Sequence, residues 1–142
     1  MISYNAENTK IPKIPRRKVS AWIKTVAAKH NSRVGEIAYI FCTDERILEV
    51  NNQYLHHDYF TDVITFDYSE SGVISGDIFI SLDTVASNAE KFNMTFENEL
   101  YRVIIHGVLH LCGFKDKSAS DEKRMRDKEN EALQELNKIL TK

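Results

Sequence analysis

VIIHGVLHLCGFKD, residues 103–116, sets two histidines four positions apart in an apolar run and closes with Gly113 and Asp116. Phe96, Leu100, Val103, Ile104, Val108 and Leu111 recur at helical spacing. That periodicity predicts a helix over about 96–112, opened by Thr95 with Asn98 and Glu99 in its first turn and stopped at Gly113. Residues at i and i+4 lie one above the other on a helix, so His106 and His110 can aim at one point. Asp116, three residues past Gly113, can swing back as a third ligand. Two nitrogens and one oxygen with a fourth position open make the ligand set of a catalytic metal site, not of a closed structural one. The competing reading is a pair of structural core histidines. It is disfavoured because each buried imidazole costs free energy unless its ring nitrogens find partners.

Around this segment strands and helices alternate. Ile2-Ser3-Tyr4 reads as a short strand, and Val19, Trp22, Ile23, Val26 and Ala27 mark an amphipathic helix over 16–30. Residues 36–42 (EIAYIFC) are β-rich, and Thr43 or Asp44 caps a helix running to about Leu55. Val63 to Tyr68 alternates as a strand, Ser71-Gly72 is a turn and Val73 to Ser81 reads as the next strand, so the two form a candidate hairpin. Helices over 82–92 and from Ser120 onward complete the chain, the last with Met125, Ala132, Leu133, Leu136 and Leu140 inward. The expected fold is α+β, a single domain over 1–142 in which a small mixed sheet packs with helices.

The chain carries 42% hydrophobic and 28% charged residues, the balance of a globular protein rather than a disordered one. It has no apolar run near the ~18 residues of a membrane span and no signal-peptide pattern at the start. Two cysteines, Cys42 and Cys112, are too few for a disulfide scaffold, so a cytoplasmic setting is expected. A net charge of −2 argues against binding nucleic acid by bulk positive charge and asks for a local basic patch.

Gly107 excludes the first metal-hydrolase reading. In a His-Glu-x-x-His peptidase the residue after the first histidine is the glutamate that serves as general base. Glycine at that position cannot take a proton, and a peptidase loses its base. A carboxylate third ligand also makes the bound water less acidic than three histidines would.

The run HGVLHLCGFKD strongly resembles the signature of the YbeY family, bacterial endoribonucleases of ribosomal RNA maturation, which reads His-Gly-x-Leu-His-Leu-x-Gly-Tyr-Asp-His. Upstream, VNNQYLHHDYFTDVITF resembles the family's Asn-x-x-Tyr-Arg-x-Lys-Asp-x-Pro-Thr-Asp-Val-Leu-Ser-Phe segment, and SGDIFIS its Gly-Asp-Ile strand. The match in order and spacing covers about residues 48–135. The resemblance implies a zincin-like α+β fold and one zinc per chain held by His106, His110 and Asp116, which are also the catalytic residues. It further implies cleavage of single-stranded RNA, with maturation of the 3′ end of small-subunit ribosomal RNA and ribosome quality control as the setting. The small ribosomal subunit is the expected partner, with no membrane and no DNA.

Two departures from the family pattern matter. The third histidine falls on Asp116, which zinc accepts as a ligand. The arginine after Tyr54, a candidate for the scissile phosphate, is Leu55, and leucine cannot form a charge-assisted fork on phosphate. The candidate substitutes for substrate binding are His56, His57, Arg102, Lys115 and Lys117, each set against the reading of a solvated surface charge. Thr61, Asp62 and Asp77 fall on family positions lining the cleft, with strand or loop capping as the equal alternative. Lys123, Arg124, Arg126 and Lys128 alternate with acids and read as an exposed ion-paired face. Cys112 reads as a small apolar residue and His30 as a helix C-terminal charge. The competing functions are a ribosome-assembly factor with a largely structural metal, which Leu55 favours, and another metal-dependent hydrolase or a non-haem iron enzyme, since two histidines and a carboxylate also make an iron triad.

Overall fold

The computed structural model describes residues 1–56 and 61–141. Four strands form one mixed sheet in the order β1 (Ile2–Ala6), β2 (Arg33–Cys42), β4 (Val73–Ser81), β3 (Val63–Asp67). β1 and β2 run parallel, β2 and β4 run parallel, and β3 returns antiparallel to β4 as the expected hairpin. The helices are α1 (Arg16–Lys29), α2 (Asp44–Leu55), α3 (Leu82–Lys91), α4 (Phe96–Leu111) and α5 (Ala119–Leu140). The α+β class is as expected.

Period-two alternation divides the sheet between two cores. Ile37, Tyr39 and Phe41 of β2 with Ile74, Ile78 and Ile80 of β4 join Trp22, Ile23 and Val26 of α1 and the apolar side of α4. Cys42, Ile47, Val50 and Ile64 form a smaller cluster with α2, against which Phe66 and Phe79 pack. Two buried hydrogen bonds tie the layers of the larger core. Tyr39 Oη donates to the Ile104 carbonyl at 2.9 Å, and Trp22 Nε1 donates to the Ala132 carbonyl of α5 at 2.7 Å.

Gly107 has a packing role beyond its lack of a base. A Cβ there would stand 2.9 Å from Ile78 Cδ1, so glycine lets the middle of α4 lie directly on β4.

Two boundaries and one expected core residue differ from the sequence reading. β2 begins at Arg33 because Arg33 and Val34 pair with Val73 and Ile74, a long-range pairing that local propensity does not reveal. α5 is capped two residues before Ser120, by Ser118 Oγ accepting from Asp121 N–H. Phe96 is 37% exposed, because residues 91–98 all face solvent and the first turn of α4 stands clear of the core.

Candidate metal centre

The C-terminus of α4 places the third candidate ligand. Cys112 caps the helix and Gly113 follows at φ 104°, the left-handed region glycine favours. Gly113 N–H bonds the His110 carbonyl at 3.0 Å and Phe114 N–H the Leu109 carbonyl at 3.1 Å, the paired bonds of a Schellman turn. The turn fixes the Phe114 carbonyl 3.0 Å from His110 Nδ1. It also sends the chain back, so that Asp116 Oδ2 lies 3.3 Å from His106 Nε2.

The other nitrogen of His106 is held from α5. His106 Nδ1 lies 2.7 Å from Glu129 Oε2, Arg102 Nη1 donates to Glu129 Oε1 at 2.9 Å, and Arg102 Nη2 donates to Asn130 Oδ1 at 2.9 Å. Both histidines thus have Nδ1 engaged by an oxygen, the arrangement that turns Nε2 outward as a metal ligand. For tetrahedral zinc with bonds of ~2.0–2.2 Å, neighbouring ligand atoms stand ~3.3–3.5 Å apart, and the His106–Asp116 spacing fits that separation. His110 stands one turn on, its ring centroid 6.1 Å from that of His106. Among the described residues no three such side chains close on one point as a finished cage. The donor set and the engaged Nδ1 atoms fit a divalent ion.

Charge in this cluster follows the contacts. Burial alone would lower the pKa of His106, but the Glu129 hydrogen bond and the Glu129, Asp116 and Asp62 charges outweigh it and hold it above the usual histidine value. Glu129 is opposed by its own burial, yet bonds from His106 and Arg102 keep it below the usual carboxylate value. Asp62 goes the other way: burial raises it, against the pull of His106.

His106 and Asp116 sit where two clefts meet. One, ≈ 470 Å³, is walled by α2 and β3, with Leu55, Thr61, Thr65, His110 and Lys117 in its lining. The other, ≈ 480 Å³, opens between α4 and α5, with Asp62, Phe92, Arg126 and Glu129.

The remaining candidates separate in space. Lys117 lines the cleft with His110, whereas Lys115 lines a different hollow with Cys112 and Arg124. His56 caps α2 in the left-handed conformation and is exposed, and Leu55 is 40% exposed. His57 lies outside the described residues. Arg102 is committed to Glu129 and Asn130. Asp77 is half-buried and receives the Tyr68 hydroxyl at 3.2 Å, and Thr61 and Asp62 each line one of the two clefts. On α5, Lys123 pairs with Asp127 and Lys128 with Glu131, while Arg124 covers the Phe114 ring. Cys112 is half-buried, and the His30 ring packs edge-on against Phe114.

Glu129 is the residue that sequence reasoning missed. A signal for it exists: Met125, Glu129, Ala132 and Leu136 are the buried stripe of α5, so an acid interrupts an apolar row.

Comparison with known proteins bears on the family and the fold. The family model described as "Endoribonuclease YbeY" matches residues 2–137. A protein of that name from Phocaeicola vulgatus is 60% identical over 133 residues, covering 94% of this chain and 96% of the relative. The protein of that name from Bacteroides thetaiotaomicron is 56% identical over 132 residues, covering 93% and 96%. The solution structure of TM1509 from Thermotoga maritima superposes with a TM-score of 0.67 at 29% identity, covering 96% of this chain and 89% of that one.

Proposed function

The chain belongs to the endoribonuclease YbeY family, and on that premise we propose that it is a zinc-dependent hydrolase that cuts single-stranded RNA. Its setting in this reading is ribosomal RNA maturation at the 3′ end of the small-subunit RNA and ribosome quality control, in the cytoplasm, as one domain over 1–142. Among the described residues no helix is long and apolar enough to cross a membrane. The observation that carries the reading is the meeting of His106 Nε2 and Asp116 Oδ2 at 3.3 Å, at the junction of two clefts, with both histidine Nδ1 atoms already engaged.

In this mechanism His106, His110 and Asp116 would hold the ion. The chemistry such an ion supplies is positive charge against a phosphoryl oxygen and a lowered pKa for water. The chain's own groups do the rest. Lys117, beside the ligands in the cleft, sets a cation against substrate phosphate, and exposed His56 adds a donor at the end of α2. Lys115 lines a different hollow and takes no part in this reading. Asp62 faces the adjoining cleft with a raised affinity for protons and is the group positioned to take or return one. Among the described residues β3 is an edge strand bordering the same cleft, and in this reading its backbone pairs with an extended chain.

The test is cleavage of a labelled single strand by zinc-loaded protein, set against His110→Ala and a chelated control. The expected outcome is a fall of more than about 100-fold in both, since even outer-shell changes at metal sites cost 10–100-fold. Undiminished cleavage by a purified, folded His110→Ala variant would refute the assignment. Product ends identify the nucleophile, a cyclic phosphate meaning the 2′-hydroxyl and a plain phosphate meaning water.

Leu55, exposed where the family pattern has arginine, favours a second reading, a ribosome-assembly factor with a structural metal. Binding to small subunits without any cleavage, in a protein that unfolds when chelated, would establish it.

A further inference from the structure

Arg102 and Glu129 are ionised partners that the proposed chemistry leaves without a task, and both are largely withdrawn from solvent, their side chains 14% and 7% exposed. Glu129 sits in the apolar stripe of α5 between Met125 and Ala132, where leucine would fill the same row. A carboxylate there must find partners for both oxygens or be expensive to bury. It finds Arg102 on one oxygen and His106 on the other. Arg102 is in turn fixed by Asn130.

We propose that Glu129, clamped by Arg102, is a positioning residue that holds the His106 ring with Nδ1 turned toward α5 and Nε2 toward the ion. This rests on the reading of His106 as a metal ligand. Arg102 is then a clamp on the site and not a phosphate-binding cation. The arrangement also joins two parts of the chain. Ala132, one turn beyond Glu129, receives the Trp22 indole N–H, so the register that docks α5 on α1 also sets the depth at which Glu129 meets His106. An acid in an otherwise apolar row has a reason to be there once it orients a ligand.

The ligand test uses cobalt(II), read by its visible absorption and by competition with a chromophoric chelator. Glu129→Leu completes the apolar row and is expected to fold, and Glu129→Gln keeps an oxygen able to accept from Nδ1–H. The expected result is a 10–100-fold loss of cobalt affinity with an altered absorption band in the leucine variant. The glutamine variant should stay within about threefold to fivefold of wild type. Wild-type affinity and spectrum in a folded leucine variant would overturn the proposal, leaving Glu129 a merely structural acid. A measurement on unaltered protein covers the case of variants that do not fold. Long-range proton–nitrogen correlation on the zinc-loaded chain should find His106 with its proton on Nδ1, and a proton on Nε2 would overturn the proposal equally. Failure of wild type to bind either ion would instead strike the metal reading itself.

Discussion

α4 and α5 both reach the site, and they differ in how they are held. α4 buries ten of its sixteen residues, and its histidines stand at the edge of a helix enclosed by the sheet and its neighbours. α5 buries four of twenty-two, a single row on a long charged helix, and one of the four is Glu129. Packing therefore fixes α4, while the outer helix is fixed in part by polar bonds, two of them converging on the candidate site. The proposed ligands and the residue proposed to aim one of them thus sit on elements of very different character.

The largest effect that would sharpen this contrast lies on α4. Gly107→Val forces a branched side chain into Ile78, so the helix must lift from β4, and overpacking of this kind costs about 1–3 kcal/mol or more. Denaturant unfolding should show that loss, and an unchanged midpoint would mean α4 is not seated as tightly as described. A smaller effect belongs to the loop between the helices. Lys117→Ala should raise the KM for RNA about two- to fivefold, the range that exposed ion pairs of ~0.2–1 kcal/mol allow, while Lys115→Ala leaves it unchanged. Equal effects from both lysines would erase the distinction between the two faces of this loop.

The smallest effect concerns the bond between α4 and α5 in chelated protein. The pKa of His106 is raised, so its contribution to stability is fully present below the unfolded value of ~6.5 and is lost as pH rises through the folded value. Glu129 is lowered, so its contribution is present above the unfolded value of ~4.3 and is lost as pH falls through the folded one. Thermal unfolding against pH should show both limbs, and Glu129→Leu should flatten them. A profile identical in wild type and variant would show that the pair does not link the helices.

Much of this was legible in the sequence, for identifiable reasons. The i,i+4 histidines and Gly113 stand on a strongly periodic segment, and the Schellman turn that brings Asp116 back is a local structure with a local signal. The β3–β4 hairpin is likewise announced by alternation and Ser71-Gly72. Sheet order was not legible, because parallel pairing of β1, β2 and β4 depends on contacts remote in sequence. Arg102 read as a free cation because its partner lies 27 residues away on another helix. Glu129 was passed over in a helix dense with charge, where the break in the row Met125–Ala132–Leu136 is visible only once the buried face is known.

The central claim is a metal held by His106, His110 and Asp116, and elemental mass spectrometry of chain purified without chelator tests it most directly. About one zinc per chain is expected in wild type, with strong loss in Asp116→Ala and retention in Lys117→Ala. Folded wild-type protein that carries no metal and takes up none when zinc is added would contradict it.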